Sequence, residues 1–497
     1  MRPILTLALT LSGPSFPQQY CPRSCGRNCF DCSGRRFQQR LSRLPMATRC
    51  ARGWNRMDRR APFDWNASTH PNAESPCRML IDMKTRIALC AAALLWVISS
   101  SAGLSQAPVI SYEVRQLTTG PAHHFYGYIG HVGNSPYSAD GRHLVALRTT
   151  FQDRMPGPQD AADIVLLDAQ NNSAETKVEA TRGWNPQQGA MIYWNPEQPS
   201  RQFFFNDRDP KTGKVFTALY DIVDKKRVKE FRFDATPAAN GGVKQDGGAF
   251  AAINYARMAR LRPVTGYPGT REWTEGVNHP QDDGLFVVDV KTGTRKLIVS
   301  FRQMRDALIA KYPHLDDRAL FLNHTLWNRE GDRIFFFVRA DFNDPKRRVN
   351  VPMTVKPDGT ELVEQRIFIG GHPEWDFRSR MIGRVEDKLV LYDTLKQEIV
   401  ETIGGPEMFR DPEGDTALSR DGRWIVNGAP TGATMHYTIL RRADRAFIKT
   451  EDFSRAGYTG GDLRIDPAPC WNRAGDRFAF PALAKDGTRQ MFEVRVK

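Results

Sequence analysis

One hairpin signature recurs along this chain and constrains it more than any other feature. Ser138–Arg142 (SADGR) precedes the run His143–Leu147, and Asn328–Asp332 (NREGD) precedes Arg333–Val338. Ser419–Arg423 (SRDGR) precedes Trp424–Val426, and Asn472–Asp476 (NRAGD) precedes Arg477–Phe480. A Gly beside an acidic residue, bounded by β-branched and aromatic runs, marks a tight turn between antiparallel strands. Copies spread over more than three hundred residues describe a repeated all-β unit, which must stack or close on itself to bury its faces.

Each unit has a second half. Strands such as Asp163–Asp168, Gly284–Val290 and Lys388–Asp393 lead into a polar turn and a further strand, making four strands per unit. Units near 120–180, 185–233, 240–300, 318–366, 368–404, 412–452 and 465–497 predict an all-β fold, a β-propeller of about seven four-stranded antiparallel blades. Tyr112–Leu117 precedes the first full unit and is placed to pair with the last, closing the ring and covering an exposed edge. Ser300–Arg318 reads as a short helical lid or rim insertion between two blades, and 256–283 as a long Arg-, Pro- and Gly-rich excursion of the kind that often carries function.

The formal charge of +14 raises the question of nucleic acid, and its distribution answers it. Residues 1–107 hold 15 Lys and Arg against 5 Asp and Glu, so only +4 belongs to 108–497. No nucleic-acid partner is expected. Met83 opens a second start: Lys84 and Arg86 are followed by an apolar run from Ile87 to Ser99 and by small residues ending at Ala102 or Ala107. This is the pattern of a secretory signal, and its apolar run is too short to span a membrane. The expectation is therefore a disordered extension over 1–82 arising from a misplaced start, a signal peptide over 83–107, and one propeller domain over 108–497 in the periplasm or outside the cell. Cys21, Cys25, Cys29 and Cys32 have the close spacing of a zinc site, but they fall in the extension upstream of the signal. Of the 8 cysteines only Cys470 lies beyond residue 107, so the domain has no internal disulfide.

Candidate chemistry follows from the phase of the repeat. Polar residues just before successive hairpins converge at one end of a propeller axis. His324, His372 and Asp415 share that phase, where Ala468 stands in the last unit. Two imidazoles and a carboxylate suit a divalent cation, and two histidines hydrogen-bonding across a polar channel are the simpler reading. His123-His124-Phe125-Tyr126-Gly127-Tyr128 adds a polar-aromatic cluster suited to stacking on sugars.

These phrases resemble those of oligogalacturonate lyases and the broader TolB-like bacterial propellers. The likeness rests on His123–Tyr128, Gln187–Trp194, Phe205–Arg208, Asp282–Gly284, Asn323-His324, His372–Trp375 and Arg489–Met491, across nearly the whole mature chain. It implies a manganese ion, alternatively calcium or zinc, and no organic cofactor. On this chain it implies His324 and His372 as ligands, Gln188 as their partner and His123 or His124 as the base, while Asp415 joins the ligands by its phase. Arg208 and Arg339 would pair with substrate carboxylates. The chain departs from the pattern at Asp415 and Ala468, where related propellers carry histidine, and at Ile129-Gly130-His131.

Three functions compete. The first is metal-assisted β-elimination of uronate-containing oligosaccharides. The second is a non-catalytic TolB-like propeller that binds a glycan or a protein partner. The third is a hydrolase with paired carboxylates, which requires an acid pair across the channel at glycosidase separation.

Overall fold

The computed structural model describes residues 109–127, 134–342, 344–410 and 414–497. The extension over 1–82, the signal peptide, Tyr128 and Ile129-Gly130-His131 lie outside the described residues.

The turn signature folds as its chemistry requires. Gly141, Gly331, Gly422 and Gly475 sit at φ of 70°, 70°, 74° and 69°, a left-handed conformation that Gly adopts without steric cost. The residue opening each turn caps it. Asn328 Oδ1 accepts from the Asp332 and Arg333 N–H groups, each at 3.0 Å, and Ser138 Oγ accepts from the His143 N–H at 2.9 Å. Asn472 and Ser419 do the same in their turns.

The strands pair into five separate four-stranded antiparallel sheets and one nine-stranded sheet. The first sheet opens with His123–Phe125 and ends with Ala174–Thr181; the second runs from Tyr193–Trp194 to Lys226–Phe231. The third runs from Ala239–Val243 to Arg295–Ser300, the fourth from Phe321–Trp327 to Val363–Glu364, and the fifth from Gly370–Trp375 to Glu398–Gly404. In the nine-stranded sheet one four-stranded run starts at Asp415–Leu418. A second is made of Cys470–Trp471, Arg477–Leu483, Arg489–Val496 and the N-terminal strand Tyr112–Gln116, and Phe453–Ser454 bridges the two. The fold is a β-propeller. Tyr112–Gln116 pairs antiparallel with the final strand, Tyr112 opposite Val496 and Gln116 opposite Phe492, as its sequence position anticipated.

Burial grades across each sheet. Ile334–Ala340 is buried throughout, whereas the outermost strands Ala174–Thr181 and Glu398–Gly404 are largely exposed. Neighbouring sheets are joined by tryptophan. The Nε1–H groups of Trp194, Trp327, Trp375 and Trp471 donate to the carbonyls of Pro136, Gly242, Leu326 and Ala417 at 2.9, 3.0, 2.9 and 3.1 Å. Each indole is buried and reaches from the inner edge of one sheet to that of the sheet before it, so apolar packing and satisfaction of an inner-edge carbonyl come from one side chain.

Two short helices interrupt the strands. α1 (Tyr255–Leu261) opens the excursion within the third sheet, where Asn254 accepts from the Arg257 N–H. α2 (Phe301–Leu308) follows that sheet and begins with a capping box between Ser300 and Gln303. Phe301, Met304 and Leu308 of α2 are buried in the core shared by the second to fifth sheets, so α2 is a packed rim element rather than a lid.

The interior also holds carboxyl groups at a cost. Burial raises Glu374 to about 8, against a weaker pull downward from the Arg329 guanidinium, and burial raises Asp283 to about 6 despite its hydrogen bond from Asn254. A carboxyl whose folded pKa lies above its unfolded value binds its proton more tightly when folded, so its contribution to stability is full below the unfolded pKa and is lost as pH rises through the folded one. For Glu374 that window runs from 4.5 to about 8. Thermal melts across it are expected to show wild-type stability falling with pH and Glu374→Gln falling less; parallel curves would show that Glu374 is not the titrating group. Trp375→Phe, which keeps an aromatic ring but leaves the Leu326 carbonyl without its donor, is expected to cost ~1–3 kcal/mol in denaturant unfolding.

Candidate functional site

The residue three positions before each inter-sheet tryptophan occupies one level of the ring. These residues are Met191, His324, His372 and Ala468; in the nine-stranded sheet Asp415 stands three before Leu418. Two of the strands bulge at this level. Register shifts lie between Asn323 and Leu326, around His324, and between Gly370 and Glu374, around His372. A bulge re-aims a side chain at the expense of a ladder bond. His324 takes φ of 57°, a conformation uncommon for a non-glycine residue.

The result joins three strands. His372 Nδ1 lies 2.5 Å from Asp415 Oδ1, and Asp415 Oδ2 accepts from the Ala468 N–H at 2.7 Å. The His324 and His372 ring centroids are 5.2 Å apart. The shared phase thus brings His324, His372 and Asp415 together. They face a cavity of about 680 Å³ that Arg339 also lines.

Guanidiniums of Arg262, Arg339, Arg348 and Arg464 share the wall with the carboxylates of Asp415, Asp462 and Asp466. Arg262 follows α1, and Arg339 and Arg348 flank a hairpin of the fourth sheet. Their guanidinium carbons stand over the Phe342 ring at 4.1, 4.5 and 4.7 Å from its centroid. Arg339 Nε donates to Asn350 Oδ1 at 2.8 Å. Among the described residues none of these three arginines has a carboxylate at ion-pair distance. Arg464 differs, since its Nε–H donates to Asp466 at 2.8 Å and a second N–H to Gln187 at 3.1 Å. Phe368, 45% exposed, lines the same cavity and offers a face for a sugar ring.

The environment divides the two histidines. Burial, with Arg339 and His372 adding repulsion, holds His324 well below the usual imidazole range. Burial also pulls His372 down, but the Asp415 carboxylate outweighs it and the net shift is upward. Arg262 falls to about 10 through burial and the neighbouring Arg464, and Arg339 is lowered by burial, Arg262 and Arg348. A neutral imidazole, an imidazolium favoured by its carboxylate, and crowded guanidiniums therefore share one cavity.

Of the other predicted residues, Gln188 lies beside the two histidines, and His123, His124 and Arg208 fall elsewhere. Gln188 lines a smaller recess with His324 and His372, and its side-chain amide donates to Asn323 at 3.2 Å. His123 Nδ1 accepts from the Arg489 N–H at 3.1 Å. His124 meets Gln490 through Nδ1 at 2.9 Å and Glu175 through Nε2 at 2.7 Å, so both its nitrogens are engaged at the seam between the first sheet and the final strand. Neither lines the cavity; at the phase of His324 the first sheet has Asn134, three before Tyr137. Arg208 donates to the main-chain carbonyls of Pro158 and Asp209 and does not line it either. Arg262 and Arg348 escaped the sequence reading, although the Arg-rich composition of 256–283 pointed to the segment that supplies Arg262.

Among the described residues no group of three His, Cys, Asp or Glu side chains is arranged to hold a metal ion. Both Asp415 oxygens are engaged, one by His372 and one by the Ala468 N–H.

No family model matches the chain, and no curated protein matches it. Among solved structures, an oligogalacturonate lyase in complex with manganese aligns at 13% identity with a TM-score of 0.51, covering 78% of this chain and 97% of that one. A Myceliophteria thermophila Cps50 (Swd1) β-propeller domain aligns at 12% identity and 0.43, covering 76% and 100%. TolB from Acinetobacter baumannii aligns at 14% identity and 0.33, covering 72% and 81%. The likeness to the lyase is one of fold, and it extends over nearly all of that chain.

Proposed function

We propose that this protein is exported to the periplasm or beyond the cell and cleaves uronate-containing oligosaccharides by β-elimination in the cavity around His324 and His372. The observation that carries the reading is a cavity in which three guanidiniums without carboxylate partners among the described residues face two histidines, one of them held by Asp415. An acidic ligand neutralises such a wall, and Phe368 at its edge suits a sugar ring.

The reaction needs a base for the proton α to the carboxylate and an acid for the departing oxygen. His324, kept neutral by its surroundings, takes the proton. The released carbon–hydrogen electron pair becomes the new carbon–carbon double bond, and the bond from the β carbon to the glycosidic oxygen breaks. Its electron pair leaves on that oxygen, which receives a proton from the His372 imidazolium. Asp415 fixes the His372 ring and stabilises its charge. Two neighbouring groups whose environments push their pKa values apart can fill these opposite roles. The solved lyase of similar fold supports the reaction class by analogy of fold alone.

Incubation with oligogalacturonates is expected to generate the ultraviolet absorbance of unsaturated products, with kcat reduced about 10²–10⁴-fold in His324→Ala and in His372→Ala. Binding of the oligosaccharide without cleavage would instead establish the glycan-binding propeller, and neither binding nor cleavage would leave a protein partner as the better reading. The rate profile should be bell-shaped: activity falls at low pH as His324 takes a proton, below the ordinary 6.5, and at high pH as His372 loses one, above 6.5. A single limb that survives in His372→Ala would remove His372 from the acid role.

A further inference from the structure

We propose that Arg262, Arg339 and Arg348, gathered on Phe342, form the carboxylate clamp of this cavity and supply the positive charge for elimination, so that turnover requires no bound metal ion. The inference rests on the proposed function and specifies how the developing charge is met.

Three independent features support it. Asp415, the acidic member of the expected ligand set, has one oxygen against His372 at 2.5 Å and the other against the Ala468 N–H at 2.7 Å, so a cation would have to displace an existing partner. The described residues contain no group of three His, Cys, Asp or Glu side chains arranged to hold a cation. The guanidiniums, by contrast, converge. All three stand within 4.1 to 4.7 Å of one ring centroid, although like charges so close repel one another. Such crowding without carboxylate partners among the described residues is relieved when an anion enters.

Geometry also divides their labour. Arg339 is buried, and Asn350 fixes its Nε at 2.8 Å, leaving the two terminal amino groups to point their hydrogens at an oxyanion. Arg339 lines the same cavity as His324. Arg348 is exposed at the cavity edge and braced by the Phe342 carbonyl at 3.0 Å. When the α proton leaves, negative charge spreads onto the carboxylate oxygens, and fixed N–H donors aimed there hold that charge better than they hold the ground state. The step is redox-neutral. The proton goes to His324, the departing oxygen takes one from His372, and no co-reactant enters.

The test uses full-length domain freed of metal by chelator and checked by mass spectrometry for manganese, calcium and zinc. Unsaturated-product formation is then followed with and without each ion. The clamp predicts that the stripped protein keeps its activity within about twofold, and that Arg339→Gln lowers kcat about 10²-fold, the scale of losing one preorganised donor. Arg348→Gln should mainly raise KM. Because Arg339 is buried, Arg262→Gln serves as the second variant, and thermal melts of each must match wild type for its kinetics to count. Arg339→Lys should fail to restore kcat, since a point charge does not reproduce a two-pronged donor. Activity lost on chelation and recovered with stoichiometric manganese would overturn the clamp while leaving the lyase intact. No product under any ion condition would overturn the lyase, and the clamp with it.

Discussion

Everything in this structure depends on inner strand edges being held side by side, and the indole N–H to carbonyl bond does much of that holding. A four-stranded sheet alone leaves a polar edge exposed and one face unburied. Trp327, Trp375 and Trp471 each carry a ring into the gap between sheets and end it with a donor on a carbonyl of the preceding inner edge. That contact sets the relative height of neighbouring strands, so residues three positions upstream arrive at one level. His324 and His372 are set side by side in this way, and Asp415, three before Leu418 where no indole stands, is joined to them by its contact with His372.

The same level is where the molecule accepts strain. His324 sits in a left-handed backbone conformation on a bulge, Arg339 keeps its guanidinium out of water, and the carboxyl of Glu374 is buried just beyond His372. Each is unfavourable alone and persists because the surrounding sheets leave it no alternative. The apolar middle strands, such as Ile334–Ala340, provide the compensating stability one layer further out.

Much of the fold was legible because its signals are local. An Asp-Gly turn, a capping Asn or Ser and alternating strands can be read residue by residue, and the predicted units end within a few residues of the observed sheets in the first five cases. The His324, His372 and Asp415 level was legible too, since a repeat converts sequence phase into height. His123, His124 and Arg208 came from resemblance to a motif, which carries no phase, and they do not line the cavity; at the phase of His324 the first sheet has Asn134, three before Tyr137. Arg262 and Arg348 were hidden for another reason. They leave the repeat altogether, and only folding of α1 and of the hairpin after Arg339 brings them to Phe342.

The pairing of Tyr112–Gln116 with Arg489–Val496 makes the two ends of the domain one hydrogen-bonded seam. A chain emerging from the ribosome releases Tyr112–Gln116 well before its partner Arg489–Val496, so the seam forms only after every sheet between them has emerged. The loop closed by that seam is almost the whole domain, and its entropy must be met by the sheets already formed. Seen as a closed curve, the molecule has no privileged beginning. Joining the present ends and cutting at an exposed Asp-Gly turn would give a circular permutant with the same sheets and a different last strand.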